Sequence, residues 1–246
     1  MSIETPQDLE GLRAAGKVVA ATLREVRRLV RPGVTTAELD RAAARSLARH
    51  GARSAPKLAY GFPGAICISV DDEAVHGIPG ARRLRAGQLV KLDVTAELNG
   101  YYADAAISVP VGPARPAVGR LVATATAALR QGLSAARAGR PISSIGGAIE
   151  EEVERRGFHV LRELTGHGIG RAIHEPPTVP NHADPEAGQP LTEGLVIAVE
   201  PMISLGTSEV QLLDDGWTIA TDDGSTAAHV EHTIVITADR PLVVTA

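Results

Sequence analysis

Two aspartates interrupt an apolar, β-branched stretch, LVKLDVTAELNGYYADAAISV, at residues 89–109. Aspartate is a poor strand residue, and a carboxylate buried without a partner costs roughly several kcal/mol or more. Asn99-Gly100, between two β-like runs, is the short-range signal of a two-residue type I′ hairpin. Such a turn pairs Leu98 with Tyr101, and counting outward pairs Thr95 with Asp104 and Asp93 with Ala106. Alternation then puts Asp93, Thr95 and Asp104 on one face, with the aspartates diagonal neighbours whose Cα atoms are roughly 7–8 Å apart. Two carboxylates on one face repel unless a proton or a cation lies between them. Solvated aspartates on the polar side of a hairpin are the plain alternative, and a one-residue bulge would move one Asp to the other face.

The second half carries anomalies of the same kind. GLVIAVEPM ends an apolar run with Glu200, AHVEHTIVIT sets Glu231 inside another, and TGHGIGRAIHEPP places His167 between glycines with His174 seven residues on. Taken singly, each has an ordinary reading as a loop cap, an arginine partner or a turn. Four acids on apolar strands must nevertheless share counter-charges. Asp93, Asp104, Glu200 and Glu231 bring four negative charges, which two divalent cations balance. With His167 they form a mostly oxygen donor set suited to Mn²⁺, Fe²⁺, Co²⁺ or Zn²⁺. Two such ions about 3.5–4 Å apart bind a water and lower its pKa towards ~7, which is chemistry for hydrolysis.

The rest of the chain must position these groups. Its 246 residues allow one large domain or two small ones, and 44% hydrophobic with 22% charged residues is ordinary globular composition. A net charge of −4 gives no basic field for nucleic acid or anionic membrane. The single Cys67 excludes an internal disulfide and fits a reducing compartment. No apolar run reaches the ~18 residues of a membrane span. MSIETPQDLE lacks the features of a signal peptide, so a cytoplasmic protein is expected. Aromatics are scarce, and Tyr60, Phe62, Tyr101 and Tyr102 cluster near His76 or in the aspartate hairpin.

Thr5-Pro6 with acids after it opens a helix running to RPG at 31–33, and Thr35 with Glu38 is a capping-box pattern for a second helix ending near Gly51. Strands follow from about Ile66 to Val111. An Ala-rich helix spans about 115–138, and GRPISS caps a shorter one stopping at Gly157. Strands come again at about 160–164, 195–202, 217–220 and 228–237. This repeated order, offset by roughly 108 residues, predicts one α+β domain of two pseudo-twofold-related halves with a site between them.

At this level the residues resemble a known family. AVHGIPG, VKLDVTAELNGYYAD, TGHGIGRAIHEPPTVPNH, VIAVEPM and VEHTIV are similar, in order, to the motifs of type I methionine aminopeptidases, from about Thr5 to Thr237. The resemblance implies a single catalytic metallopeptidase domain over 1–246 with the pita-bread α+β fold, its halves arranged about a central antiparallel sheet. It implies a hydrolase that removes the initiator methionine from nascent polypeptides with a small second residue. Asp93, Asp104, His167, Glu200 and Glu231 would ligate two divalent ions, Asp104 and Glu231 bridging them, with Glu200 also the general base. His174 would bond the scissile carbonyl and its oxyanion, and His76 the peptide nitrogen. Tyr60, Phe62, Cys67, Ile173 and Trp217 would enclose the methionine side chain, whose thioether packs well on aromatic edges.

Four positions depart from the family pattern: Val75 and Ile173 replace a common cysteine and phenylalanine, and Leu164 and His182 deviate around GHG. A monomer is the family expectation, with the ribosome a candidate docking partner. Prolidases and aminopeptidase P use a similar metal set but carry an extra N-terminal domain, whereas the catalytic pattern here starts almost at once. Type II methionine aminopeptidases carry a helical insertion for which the interval from His174 to Glu200 leaves little room. A non-catalytic peptide-binding relative would characteristically lose ligands, and all five are here.

Overall fold

Both capping patterns at the start of the chain close their helices. The structure, a computed structural model describing residues 1–246, begins with α1 (Pro6–Leu29) and α2 (Thr36–Arg49). The Asp8 N–H donates to Thr5 Oγ1 (3.2 Å) and the Thr5 N–H to Asp8 Oδ2 (2.9 Å). Thr35 and Glu38 repeat the exchange at 3.1 and 2.7 Å. These bonds satisfy amide donors that a helix start otherwise leaves free. A short helix not anticipated from sequence, α3 (Ala55–Tyr60), is capped by Ser54 and stopped by Gly61 in the left-handed region. Six residues are too few for helical periodicity to register.

In the second half, α4 (Pro116–Ala135) packs on α5 (Ser143–Arg155). The cap expected of GRPISS is not made by serine: Ile142 takes the cap position without a side-chain bond, and Ser144 Oγ donates back to the Pro141 carbonyl (2.7 Å). The helices cover two cores of 21 and 22 buried residues, one mostly from each half, and this near-equality fits the repeated construction.

The strands Leu89–Leu98 and Tyr101–Pro110 form the expected hairpin. Asn99 and Gly100 both have positive φ (52° and 83°), as a type I′ turn demands. The ladder runs without a bulge through Thr95↔Asp104 and Asp93↔Ala106. In the other half the two long strands expected from sequence keep their pairing but open midway. Val196–Val199 pairs with His232–Val235, and Met202–Ser204 with Ala227–His229, in one continuous register. The opening falls at Glu200-Pro201 opposite Val230-Glu231, where only the Val230 N–H crosses, donating to the Pro201 carbonyl (3.3 Å). Pro201 has no N–H to give, and the ladder resumes past it. The strands expected at 160–164 and 217–220 shrink or shift to His159–Val160 and Ile219–Thr221.

The halves meet where Tyr101–Pro110 lies beside residues 227–235. The Asp104 N–H donates to Thr233 Oγ1 (2.8 Å), which donates in turn to the Asp104 carbonyl (2.8 Å). The Glu231 N–H donates to the Ala106 carbonyl (3.0 Å). Ser108 Oγ accepts from the His229 N–H (3.0 Å) and donates to its carbonyl (2.8 Å). These pairs step by two residues on each strand, as in an antiparallel ladder, with hydroxyls standing in for some backbone groups. The Gly100→Ala variant should lose about 1–2 kcal/mol, because only the backbone strain changes at that open position. Thermal melting should show this as a fall of a few degrees with the fold retained.

Candidate metal centre

Register and alternation bring the anomalous residues to one face of this continuous sheet. Asp93 and Asp104 share a face with Thr95 through the hairpin pairing. Across the seam, Ala106 sits beside Glu231, and the second register sets Glu231 opposite Glu200. Gly168 pairs with Ile197, so His167 stands by Ala198, on the side of Glu200. A Cβ at Gly166 would lie 2.4 Å from the Ala198 carbonyl oxygen, and one at Gly168 would lie 2.2 Å from that of Pro176. The glycines on either side of His167 are therefore the condition for threading that strand between its neighbours.

The result is a tight group of ligand atoms. Asp104, His167 and Glu231 offer one donor atom each within 4.8 Å of one another, and so do Glu200, His229 and Glu231. His167 Nε2 lies 3.4 Å from Glu200 Oε1. Asp93 Oδ1, Asp104 Oδ1, Glu200 Oε1 and Glu231 Oε1 are buried without any hydrogen-bond partner. Thr95 Oγ1 donates to Asp104 Oδ2 (2.7 Å), fixing one oxygen and leaving the other free. Asn181 Nδ2 donates to the carbonyls of Glu200 and Leu164 (3.0 Å each), holding the backbone where the ladder opens.

No lysine or arginine lines the surrounding cavities, so these carboxylates lack a protein counter-ion. Burial, and then Asp104, push Asp93 and Glu231 well above the usual carboxylate range. Glu200 rises to about 8 for the same reasons. Four orphaned carboxylate oxygens and an imidazole fit divalent ions of intermediate hardness, with no other cation in the wall.

The face forms the shared wall of two cavities. The larger, about 280 Å³, is polar and is lined by Val75, His76, Leu164, His174 and Glu200 among others. The smaller, about 90 Å³, gathers Tyr60, Phe62, Cys67, Ile173 and Trp217, the residues expected to enclose a side chain. Phe62 and Trp217 meet edge to face with centroids 5.2 Å apart. Tyr60, half exposed, also pairs its hydroxyl with His174 Nδ1 (2.6 Å). The His174 ring packs at 4.2 Å from that of His167. Partial burial, with the imidazoles of His167 and His76 beside it, pulls His174 below the usual histidine range. His76 is held in the left-handed region (φ 57°), where the Gly77 N–H donates to Ser69 Oγ (3.0 Å); burial lowers its pKa too. Of the four departures, Val75 and Leu164 line the larger cavity and Ile173 the smaller, whereas His182 lies outside both.

Residues 10–238 match the metallopeptidase family M24. The chain belongs to that family. It is 43% identical over 247 residues to methionine aminopeptidase 2 of Bacillus subtilis, covering 100% of this chain and 99% of the relative. The crystal structure of methionine aminopeptidase from Rickettsia prowazekii superposes with a TM-score of 0.96 at 38% identity, covering both chains completely. The prolidase of Pyrococcus furiosus superposes at 0.78 with 20% identity, over 99% of this chain and 65% of its own, a likeness of fold alone. The pita-bread architecture expected from the sequence is the fold of this M24 chain, and divalent metal use goes with its family.

Two residues beside the carboxylate cluster escaped the sequence reading. His229 is buried against Glu200 and Glu231, and burial holds it neutral with a pKa of about 4. The signal was present: it stands two residues before Glu231, hence on the same strand face. Asn181 lies inside a quoted motif, but only the tertiary structure brings it to Glu200.

The pH dependence follows from Glu200. Folding raises its pKa from 4.5 to about 8, so its contribution to metal-free stability is present below 4.5 and is lost as pH rises through 8. A divalent cation removes that penalty. The rise in Tm on adding Mn²⁺ should therefore grow from about pH 5 to 8. A rise that stayed flat or shrank across that range would contradict the assignment.

Proposed function

We propose that this chain is a two-metal aminopeptidase that removes N-terminal methionine from polypeptides with a small second residue. The supporting observation is the wall between the cavities, where unpartnered carboxylates without a protein cation separate a polar channel from a small aromatic pocket. Asp93, Asp104, His167, Glu200 and Glu231 would hold the ions. Manganese, iron, cobalt and zinc all suit this set. When bound, such ions would lower the pKa of a water towards ~7 and polarise the scissile carbonyl.

The remaining work falls to side chains. The methionine side chain enters among Phe62, Cys67, Ile173 and Trp217, where sulfur meets aromatic edges and aliphatic groups. Glu200 accepts the proton of the attacking water, a task suited to a carboxylate whose pKa stands near neutrality. With the Tyr60 hydroxyl donating to Nδ1 of His174, its Nε2 carries the proton and donates to the developing oxyanion. His76, fixed in its strained turn, contacts the peptide nitrogen and helps pass a proton to the leaving amine. The restriction to a small second residue rests on the family resemblance. The setting this reading implies is a monomer meeting nascent chains in the cytoplasm, with the ribosome as a docking partner.

Met-Gly-Met and an X-Pro peptide, offered with Mn²⁺ or Co²⁺, test the reading directly. Cleavage of the first, loss on chelation and recovery on metal return are expected. Preference for X-Pro would overturn it. Asp104→Asn should lose metal and activity together, and His174→Ala should lower kcat by about 10²–10³-fold with metal content unchanged.

A further inference from the structure

We propose that His229 is a sixth metal donor, giving the second ion an imidazole of its own. This rests on the metal-site reading above and adds to it a residue outside the five ligands already assigned.

His229 is only 2% exposed, and neither ring nitrogen has a hydrogen-bond partner. A buried imidazole with both nitrogens unsatisfied calls for an explanation, since an aliphatic residue would fill the same space without that cost. Its backbone is pinned from both sides by Ser108 Oγ, at 3.0 Å to the N–H and 2.8 Å from the carbonyl. The ring therefore points from a fixed strand position onto the face of Glu231.

The distances distinguish two roles. His229 Nε2 lies 3.5 Å from Glu200 Oε2 and 3.7 Å from Glu231 Oε2. Both are too long for hydrogen bonds, which run about 2.7–3.2 Å. Donors that share one ion at about 2.0–2.2 Å stand roughly 3–3.8 Å apart, and these separations match. His167 Nε2 bears the same relation to the other oxygen of the carboxylate, at 3.4 Å from Glu200 Oε1. Glu200 is thus flanked by an imidazole at each oxygen. The two candidate donor groups, Asp104–His167–Glu231 and Glu200–His229–Glu231, have Glu231 in common and one histidine each. A second nitrogen leaves the charge balance unchanged and moves the preference of the centre from Mn²⁺ towards Co²⁺, Fe²⁺ or Zn²⁺.

The test uses the full chain labelled with ¹⁵N-histidine and loaded with two equivalents of Co²⁺. NMR then counts imidazole N–H signals with the large contact shifts that only rings bonded to Co²⁺ acquire, alongside Co²⁺ binding by equilibrium dialysis. Wild type should give two, because His167 Nδ1 is held on the Gly168 carbonyl (2.8 Å) and His229 Nδ1 is buried. His229→Gln should retain one and bind one of its two Co²⁺ ions at least about tenfold more weakly. One shifted signal in wild type with two bound ions would overturn the assignment of His229 and leave the five-ligand site standing. Unchanged signals and affinities in His229→Gln would do the same. No bound Co²⁺ would overturn the metal centre and this inference with it. The wild-type count stands even if the variant fails to fold.

Discussion

Uncompensated negative charge on one face of a buried sheet is the constraint on which the molecule depends. Asp93, Asp104, Glu200 and Glu231 converge without a lysine or arginine in the walls around them. An isolated buried carboxylate is too costly to keep, so it either takes up a proton or acquires a cation. The upward pressure of burial on the pKa values of Asp93, Glu200 and Glu231 corresponds to the first of these outcomes. Divalent cations are the second, and a metallopeptidase uses that one. A fold that holds such charges together gives up stability at the site and recovers it when the ligand arrives.

The sheet is built to keep those charges in place. Its seam between the halves is made by Thr233 and Ser108 hydroxyls as much as by backbone groups. Strand pairing lapses at Glu200-Pro201, where the Val230 N–H still reaches the Pro201 carbonyl and the Glu231 N–H that of Ala106. Asn181 recovers one of the carbonyls left free there. The positioning of ligands and the interruption of secondary structure are one feature.

The two histidines proposed to meet substrate are placed by a different device. His174 and His76 stand outside the ladder, one on Tyr60 at the cavity mouth and the other in a left-handed turn braced by Ser69. Burial keeps both below the ordinary histidine range, so near neutral pH each is uncharged and carries one protonated and one unprotonated ring nitrogen. That would leave positive charge at the centre to divalent metal.

The sequence by itself determined the hairpin, its register and the shared face of Asp93 and Asp104, because a two-residue turn and a period of two admit one solution. It also determined the first two helix starts, whose caps are local. It could not determine that Glu200 and Glu231 interrupt their strands, since an apolar run reads alike whether or not its hydrogen bonds continue. Helix α3, too short for a period, went unread, and with it the position of Tyr60 on His174. His229 and Asn181 became part of the centre only through pairings between residues far apart in the chain. Local spacing fixes which side of a strand a group takes. Only the packing of the two halves decides what it meets there.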